Sequence, residues 1–230
     1  HMRSDVPVGI SLSGGLDSSA LLSIFKMSEN LNGSQKCFSV DFGKDFSEKF
    51  WMKSAAKYFN LPIEIYSFQN WEFVDRLEKM MWHQESPIGG LLNSASEQVM
   101  SMARQNNIKV IQDGCGIDEG YAGYRNFHNL YVGTKIINKD TDLEEAVEDY
   151  CRVWNESKET TIKICINELN NTNSAIDGSR AERPDLLNSE FYNSFQIFRY
   201  RNKKTLRQEQ IEYLQNTKIP RGVRMKDRIS

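Results

Sequence analysis

The hydrophobic residues in the first half of the chain fall into short continuous runs, which favour buried strands, and longer stretches with the spacing of amphipathic helices. The predicted strands are residues 6–12, 36–42, 62–68 and 109–112, and the predicted helices cover residues 20–27, 46–59, 71–82 and 95–105. Repeated β-α-β units with short links predict an α/β fold with a parallel sheet. In the helix at 46–59, the spacing places the apolar residues Phe50, Trp51, Ala55 and Tyr58 along one side.

The second half of the chain has a different pattern. After Tyr124 the alternation of strands and helices stops, and residues 143–154, 160–169 and 205–214 have helical spacing. Residues 170–188 are rich in Asn, Ser, Asp and Arg, so we predict a mobile loop there. The pattern therefore predicts an α/β core over residues 3–125 and a C-terminal helical appendage over residues 126–230.

The amino-acid composition limits the kinds of molecule that this protein is expected to bind. The chain has 230 residues, with 29 Lys and Arg against 31 Asp and Glu, and this balance lacks the basic footprint that nucleic-acid binding requires. Apolar stretches long enough to span a membrane and a charged-then-apolar signal segment are both missing, so we expect a cytoplasmic protein without a membrane partner. The four cysteines form no CxxC pair, so neither a zinc site nor a disulfide framework is expected.

The most specific signal is the turn after the first predicted strand. Gly14 and Gly15 allow the backbone to approach a ligand closely, and the hydroxyls of Ser13, Ser18 and Ser19 add donors beside a helix start, so the turn predicts an anion cradle. It is not the P-loop of nucleoside triphosphatases, which needs Lys after its second glycine. Asp17 would repel bound phosphates unless a cation lay between them, and it therefore predicts Mg²⁺. The alternative is an ordinary β-α turn in which Asp17 or Ser18 caps the helix.

A second glycine-rich loop, residues 113–124, follows the fourth predicted strand. Its glycines do not have the dinucleotide-binding spacing, and the adjacent Asp118 and Glu119 would suit a metal–phosphate complex better than bare pyrophosphate. If the first and fourth strands flank the point where the strand order reverses, Asp17 and Asp118 face each other across one Mg²⁺–pyrophosphate. The alternative is a surface loop whose acids are solvated.

Both loops resemble those of a known enzyme family. Ser-Gly-Gly-Leu-Asp-Ser at residues 13–18 matches the Ser-Gly-Gly-x-Asp-Ser fingerprint of the pyrophosphatase-loop enzymes, which cleave ATP between its α and β phosphates. Gly-x-Gly-x-Asp-Glu at residues 114–119, followed by Gly-Tyr, resembles the asparagine synthetase family and its relatives, including β-lactam synthetases. Residues 3–9, 85–87 and 219–230 agree with this resemblance. It implies a Rossmann-like sheet of the adenine nucleotide alpha hydrolase type, with residues 3–125 binding the nucleotide.

The resemblance also implies roles for single residues, with ATP and Mg²⁺ as cofactors. Adenine would be bound by the backbone of Leu12 and Val40, and the AMP portion would border Asp113 and Gly114. Pyrophosphate and Mg²⁺ would be held by Ser13, Gly14, Gly15, Asp17 and Ser18, with Asp118 completing the metal site. The residues expected to act in catalysis are Asp17, Asp118 and Cys115.

Two residues depart from the family pattern. Asp113 stands where serine is common in asparagine synthetases, and Cys115 stands where those enzymes carry Glu. A thiol does not accept a proton as a carboxylate does. Cys115 therefore either fills space as a small neutral residue or, if it ionises, attacks an adenylate. Glu85 is either an acid near the site or a surface turn residue.

The resemblance implies an ATP-dependent amide-forming ligase that adenylates a carboxylate, aspartate or a related one, with release of pyrophosphate, and then transfers ammonia. Two alternatives stay open: a β-lactam synthetase-like enzyme that uses an internal amine, and a fragment that binds ATP without catalysis. We expect the N-terminal glutaminase domain of the family to be absent from this chain, and the helical appendage to be truncated. The partners would be a small carboxylate substrate and a glutaminase domain, in a longer chain or a separate subunit, with a homodimer left open.

Overall fold

The computed structural model describes residues 4–27, 35–69, 72–88, 92–170, 188–190 and 205–229. The chain forms two compact units that divide between Cys115 and Gly116. The first unit contains the described residues up to Cys115 and those from Arg221 onward, and the second runs from Gly116 to Pro220. The first unit is therefore built from two separate stretches of sequence.

The first unit contains a four-stranded sheet. Its strands are β1 (Val8–Ser11), β2 (Lys36–Asp41), β3 (Ile63–Ser67) and β4 (Val110–Gln112). All neighbouring strands are parallel, in the order β3-β2-β1-β4, and Ile10 of β1 pairs with Cys37 of β2 and with Gln112 of β4. The predicted α/β fold with a parallel sheet is confirmed. The strand order reverses between β1 and β4, so these two strands flank the switch point.

Both faces of the sheet are covered by helices. The helices are α1 (Leu16–Met27), α2 (Lys49–Tyr58), α3 (Glu72–Gln84) and α4 (Leu92–Gln105). Cys37 and Phe38 are adjacent in β2, so their side chains point to opposite faces. Cys37 packs in a cluster with Leu22 and Phe25 of α1, whereas Phe38 packs with Val99 and other residues of α4. Burial on both faces is typical of a parallel sheet, and the adjacent residues Cys37 and Phe38 are both fully buried.

The buried side of α2 is not the side that carries the predicted apolar residues. Phe50, Trp51 and Tyr58 are 69%, 62% and 83% exposed, whereas Met52 and Ala56 are 3% and 1% exposed. Met52 and Ala56 are four residues apart, so they share one helix face. Consecutive residues such as Phe50 and Trp51 are about 100° apart around the helix axis, so they do not share a face. The helix also begins at Lys49, after a 3₁₀ turn at Lys44–Phe46, rather than at residue 46.

The second unit is helical in its described residues. It contains α5 (Ile117–Tyr121), α6 (Arg125–Asn138), α7 (Leu143–Trp154), α8 (Lys158–Asn170) and α9 (Leu206–Gln215), and a further helix, α10 (Lys218–Ile229), begins in it. Val132, Val147, Tyr150 and Cys165 form the core between α6, α7 and α8. The three predicted helices of this half are present, whereas α5, α6 and α10 were not predicted. The loop predicted at 170–188 lies outside the described residues except for its two ends.

The compact units group the chain differently from the predicted domains, which meet at residues 125 and 126. The sheet ends with β4 at Gln112, and the residues from Arg221 onward join the first unit rather than the helical one. The division into functional domains stays a prediction. Within the described residues, none of the helices combines the length and the apolar character needed to cross a bilayer.

Candidate functional site

The loop between β1 and α1 is closed by its own serines. The hydroxyl of Ser18 accepts a hydrogen bond from the N–H of Ser13 (3.2 Å) and donates one to the carbonyl of Gly15 (3.2 Å). The hydroxyls of Ser13 and Ser18 lie 3.0 Å apart, and the N–H of Gly15 donates to Ser13 Oγ (3.2 Å). The structure thus brings these two serines together, and their binding of a phosphate stays a prediction. Ser18 is buried and holds the loop, whereas Ser13 is exposed.

Gly14 allows this loop to lie against α2. Its φ angle is +82°, and a Cβ atom there would be 2.7 Å from the backbone N of Met52 and 2.8 Å from the carbonyl carbon of Trp51. A side chain is therefore excluded by both the backbone conformation and the neighbouring backbone. Gly15 differs, because a Cβ there would meet only Ser13 Oγ, at 3.3 Å.

The end of β4 approaches the same loop. A Cβ on Gly114 would lie 3.1 Å from the Cβ of Asp17 and 3.4 Å from the backbone N of Ser18. Gly114 therefore lies directly against the first turn of α1. This contact is at the carboxyl ends of β1 and β4, where open α/β sheets bind ligands in a crevice.

Leu12 is the last residue before the serine loop, and its backbone is already largely engaged. Its N–H donates to the carbonyl of Phe38 (2.9 Å), and its carbonyl accepts from the hydroxyl of Ser39. A carbonyl oxygen has a second lone pair, so Leu12 could still accept one hydrogen bond, such as that of an amino group on adenine. Val40 is half-buried against the Phe38 cluster. The adenine contact of Leu12 and Val40 stays a prediction.

Asp113 and Cys115, on either side of Gly114, both contact Lys226. The ammonium of Lys226 forms an ion pair with Asp113 Oδ2 and lies 2.7 Å from the sulfur of Cys115. The N–H of Cys115 also donates to Asp113 Oδ1 (3.0 Å). Lys226 was not predicted as a site residue, although it lies in the stretch 219–230 that resembles the family. No local pattern could have found it, because its partners lie far away in the sequence.

The three side chains shift one another's ionisation. Burial tends to raise the pKa of Asp113, but the hydrogen bonds from Lys226 and from the N–H of Cys115 outweigh it, so the pKa of Asp113 is lowered. Burial tends to lower the pKa of Lys226, but the bonds to Asp113 and Cys115 raise it on balance. The residue Cys115 is exposed as a whole, but its sulfur is partly buried by surrounding protein atoms. This burial disfavours the charged thiolate and raises the pKa of Cys115. The cluster therefore holds a carboxylate, an ammonium and a neutral thiol.

A second ion pair connects α10, the helix that contains Lys226, to the end of α3. Arg228 pairs with Glu85 and donates a hydrogen bond to the carbonyl of Gln84 (3.3 Å). This bond to Arg228 lowers the pKa of Glu85. The side chain of Glu85 is 75% exposed, which favours its interpretation as a surface turn residue that anchors α10.

The rest of the glycine-rich loop belongs to the second unit. Glu119 is 3% exposed and accepts hydrogen bonds from the N–H of Gly116 (3.0 Å) and the hydroxyl of Tyr124 (2.7 Å), so it stabilises the loop. Asp118 is in the first turn of α5, and a Cβ on Gly123 would come within 2.0 Å of its carboxylate oxygen. Asp17 and Asp118 belong to different units, and their pairing on one Mg²⁺ stays a prediction.

The residues of the first unit fit a magnesium–nucleotide complex better than a metal site made by protein alone. Among the described residues, no group of three or more His, Cys, Asp or Glu side chains could hold a metal ion. Mg²⁺ commonly takes one or two carboxylates and completes its shell with substrate phosphates and water. Asp17, which lies against Gly114, would be such a carboxylate.

Comparison with known proteins identifies the family of the chain. The family described as "Asparagine synthase" matches residues 1–228. An asparagine synthetase (glutamine-hydrolyzing) 1 of Bacillus subtilis is 35% identical over 134 residues, which are 57% of this chain and 20% of that protein. An asparagine synthetase (glutamine-hydrolyzing) of Zea mays is 29% identical over 160 residues, which are 64% of this chain and 25% of that protein.

A third relative has a different name. The protein named "Amidase chyE" of Penicillium rubens is 29% identical over 140 residues, which are 55% of this chain and 21% of that protein. The chain thus spans only about a fifth to a quarter of the length of these curated relatives. The family match nevertheless covers nearly every residue, and the chain belongs to the asparagine synthase family, whose members are ATP-dependent amide-forming ligases.

Proposed function

We propose that this chain is the synthetase part of an amide-forming ligase, which binds MgATP and activates a carboxylate as its adenylate. The observation that carries the proposal is the contact of Gly114 with Asp17 and Ser18 at the switch point between β1 and β4. The contact brings the glycine-containing turn after β4 next to the turn after β1, which contributes the hydroxyls of Ser13 and Ser18 and the carboxylate of Asp17. Such a set suits a phosphate chain that is accompanied by a divalent cation.

Each residue has a role that fits its chemistry. Pyrophosphate would be bound by the hydroxyl of Ser13 and by the backbone N–H groups of the loop that Gly14, Gly15 and Ser18 shape. Asp17 would bind Mg²⁺, and Asp118 would complete that site. Asp113 and Gly114 would border the AMP portion, and Leu12 and Val40 would bind adenine. Bound Mg²⁺ would supply positive charge that stabilises the departing pyrophosphate.

The reaction has two steps. An oxygen of the substrate carboxylate attacks the α-phosphorus of ATP, and the bond from that phosphorus to the bridging oxygen breaks as pyrophosphate leaves with the electron pair. Ammonia then attacks the acyl carbon, AMP leaves with the electrons of the acyl–oxygen bond, and the nitrogen loses a proton. The protein stabilises the leaving group of the first step through the hydrogen-bond donors of the serine loop.

The surroundings of Cys115 favour a role as a neutral neighbour over a role as nucleophile. Its raised pKa keeps the thiol protonated near neutral pH, and a protonated thiol is a poor nucleophile. We therefore place adenylation on the substrate carboxylate and none of the covalent chemistry on Cys115.

The names of the relatives indicate where the nitrogen comes from. The Bacillus subtilis and Zea mays proteins are named as glutamine-hydrolysing, which supports ammonia released from glutamine as the nucleophile here. A glutaminase domain, in a longer chain or a separate subunit, would be the partner, and aspartate or a related acid the acceptor. An internal amine, as in β-lactam synthetases, is the second candidate.

Calorimetric titration with MgATP tests the nucleotide site. We expect binding by the wild type, no measurable binding by Asp17→Ala, and weaker binding by Asp118→Ala. Asp45→Ala is a matched control, because Asp45 is an exposed aspartate of the first unit that precedes α2. Equal affinities of wild type and Asp17→Ala would refute the assignment of the site.

Exchange of labelled pyrophosphate into ATP tests the chemistry. Exchange that requires aspartate or another carboxylate supports adenylation and identifies the acceptor. MgATP binding without exchange, across a panel of amino acids and dicarboxylates, would instead support a module that binds ATP without turnover.

A further inference from the structure

The acid at position 113 poses an electrostatic problem for the proposed site. Asp113 directly follows β4, next to the Gly114 that lies against Asp17 and Ser18. Its pKa is lowered, so the side chain carries a full negative charge at neutral pH. A carboxylate at the edge of a phosphate-binding crevice repels the nucleotide unless another charge compensates it.

Lys226 provides that compensation. Its ammonium is in contact with the Asp113 carboxylate, and the two side chains are only 27% and 26% exposed. Partial burial limits screening by solvent, so the two charges cancel more effectively than an exposed pair would. The contact with Cys115 holds the same ammonium on the other side of Gly114. Arg228, two residues further along α10, fixes the helix through Glu85.

We infer that Lys226 is a positioning residue for nucleotide binding, which neutralises Asp113 so that the edge formed by Asp113 and Gly114 can accept an anionic nucleotide. This inference rests on the proposed function. It also gives the two departures from the family pattern a common explanation, because the acid at 113 and the thiol at 115 are the two groups that hold one ammonium. The lysine and the aspartate then form a functional pair, although they are far apart in the sequence.

A double-mutant cycle on MgATP affinity tests the pair. The variants are Lys226→Met, Asp113→Asn and the double variant, each titrated calorimetrically at about pH 7.5, where both side chains are charged. We expect Lys226→Met to weaken MgATP binding at least about tenfold, because it leaves an unpaired carboxylate at the crevice. The same lysine change in the Asp113→Asn background should weaken binding by less than about threefold, since the charge to be neutralised is gone.

Three controls separate charge from structure. Lys226→Arg keeps the charge and should bind MgATP within about threefold of the wild type. Lys36→Met removes an equivalent ion pair, with Glu64, from the first residue of β2 at the opposite end of the sheet, and should leave affinity unchanged. Adenosine carries no phosphate, so its affinity should change much less than that of MgATP in Lys226→Met. A structural defect would weaken the binding of both ligands.

The outcomes distinguish this inference from the proposed function. Wild-type protein that does not bind MgATP would overturn both. Two results would overturn the inference alone, provided that the wild type binds MgATP. One is that Lys226→Met weakens MgATP binding equally with and without the Asp113→Asn change. The other is that Lys226→Met weakens the binding of adenosine as much as that of MgATP. If Lys226→Met does not fold, two comparisons of MgATP affinity decide the question: Lys226→Arg against the wild type, and the double variant against Asp113→Asn.

Discussion

Gly114 lies so close to Asp17 that a methyl group on the glycine would come within 3.1 Å of the aspartate Cβ. The two residues belong to different strand–helix connections, and their contact joins the two turns of the proposed site. We expect Gly114→Ala to weaken MgATP binding by roughly tenfold, since crowding a packed contact costs about 1–3 kcal/mol. Gly120→Ala is the matched control, because a Cβ at Gly120 meets nothing within 4 Å. Equal affinities of the two variants would contradict the importance of this contact.

Gly14 should determine the stability of the first unit. A side chain there combines a left-handed backbone with overlap on the backbone of Met52, so Gly14→Ala should lower the free energy of unfolding by about 2–4 kcal/mol. Gly222→Ala provides a contrast, because Gly222 lies in open space within α10, where alanine should stabilise by about 0.5–1 kcal/mol. Denaturant unfolding measures both effects. A neutral Gly14→Ala would mean that the loop does not adopt this conformation.

The ion pair between Asp113 and Lys226 predicts a pH dependence. Because the pKa of Asp113 is lowered by folding, its contribution to stability is present above the unfolded-state pKa of about 4 and is lost as the pH falls through the lower folded value. Asp113→Asn should therefore cost about 1–2 kcal/mol at neutral pH, and the difference from wild type should shrink below about pH 4. The contribution of Lys226, whose pKa is raised, should be lost only above about pH 10. A constant difference between neutral pH and about pH 3 would contradict this pairing.

The cysteines should differ sharply in reactivity. Cys115 is exposed, whereas Cys37 and Cys165 are buried, and burial raises the pKa of each buried thiol to about 11. At about pH 8, iodoacetamide should label Cys115 in the folded protein, and Cys37 and Cys165 only after denaturation. Mass spectrometry identifies the labelled sites.

Lys226 should influence the labelling of Cys115. The hydrogen bond from Lys226 lowers the pKa of this thiol, so its removal in Lys226→Met should slow the labelling. Cys115→Ser serves as the control that removes labelling at this position. Faster labelling in Lys226→Met would show that access to the sulfur, rather than the ammonium, sets the rate.

The sequence predicted the parts of the fold that depend on local pattern. Short apolar runs separated by helices predicted the parallel sheet, and the glycines and serines of residues 13–18 predicted the loop that the structure closes through Ser18. Helix α10 could not be predicted in this way, because Pro220 and Gly222 normally discourage a helix. Pro220 is tolerated since it lies in the first turn, where its missing N–H has no helical partner to lose.

The features of the site that could not be predicted from the sequence depend on contacts between residues far apart in the chain. The site beside Gly114 includes Lys226, which only the folded chain brings to Asp113. Similarly, nothing in the local pattern of 46–59 indicates that Gly14 packs on the backbone of Trp51 and Met52. The predicted metal pairing of Asp17 with Asp118, the adenine contact and the role of Cys115 remain predictions.

The order in which the chain is synthesised bears on the first unit, because the residues from Arg221 onward complete it. Residues 116–220 must leave the ribosome before Lys226 can reach Asp113, so a nascent chain with a finished sheet still carries an unpaired acid beside Gly114. Closing so long a loop costs conformational entropy, but the cost grows only with the logarithm of loop length. We therefore expect nucleotide affinity to arise late in biosynthesis, when α10 docks, rather than when the four strands first assemble.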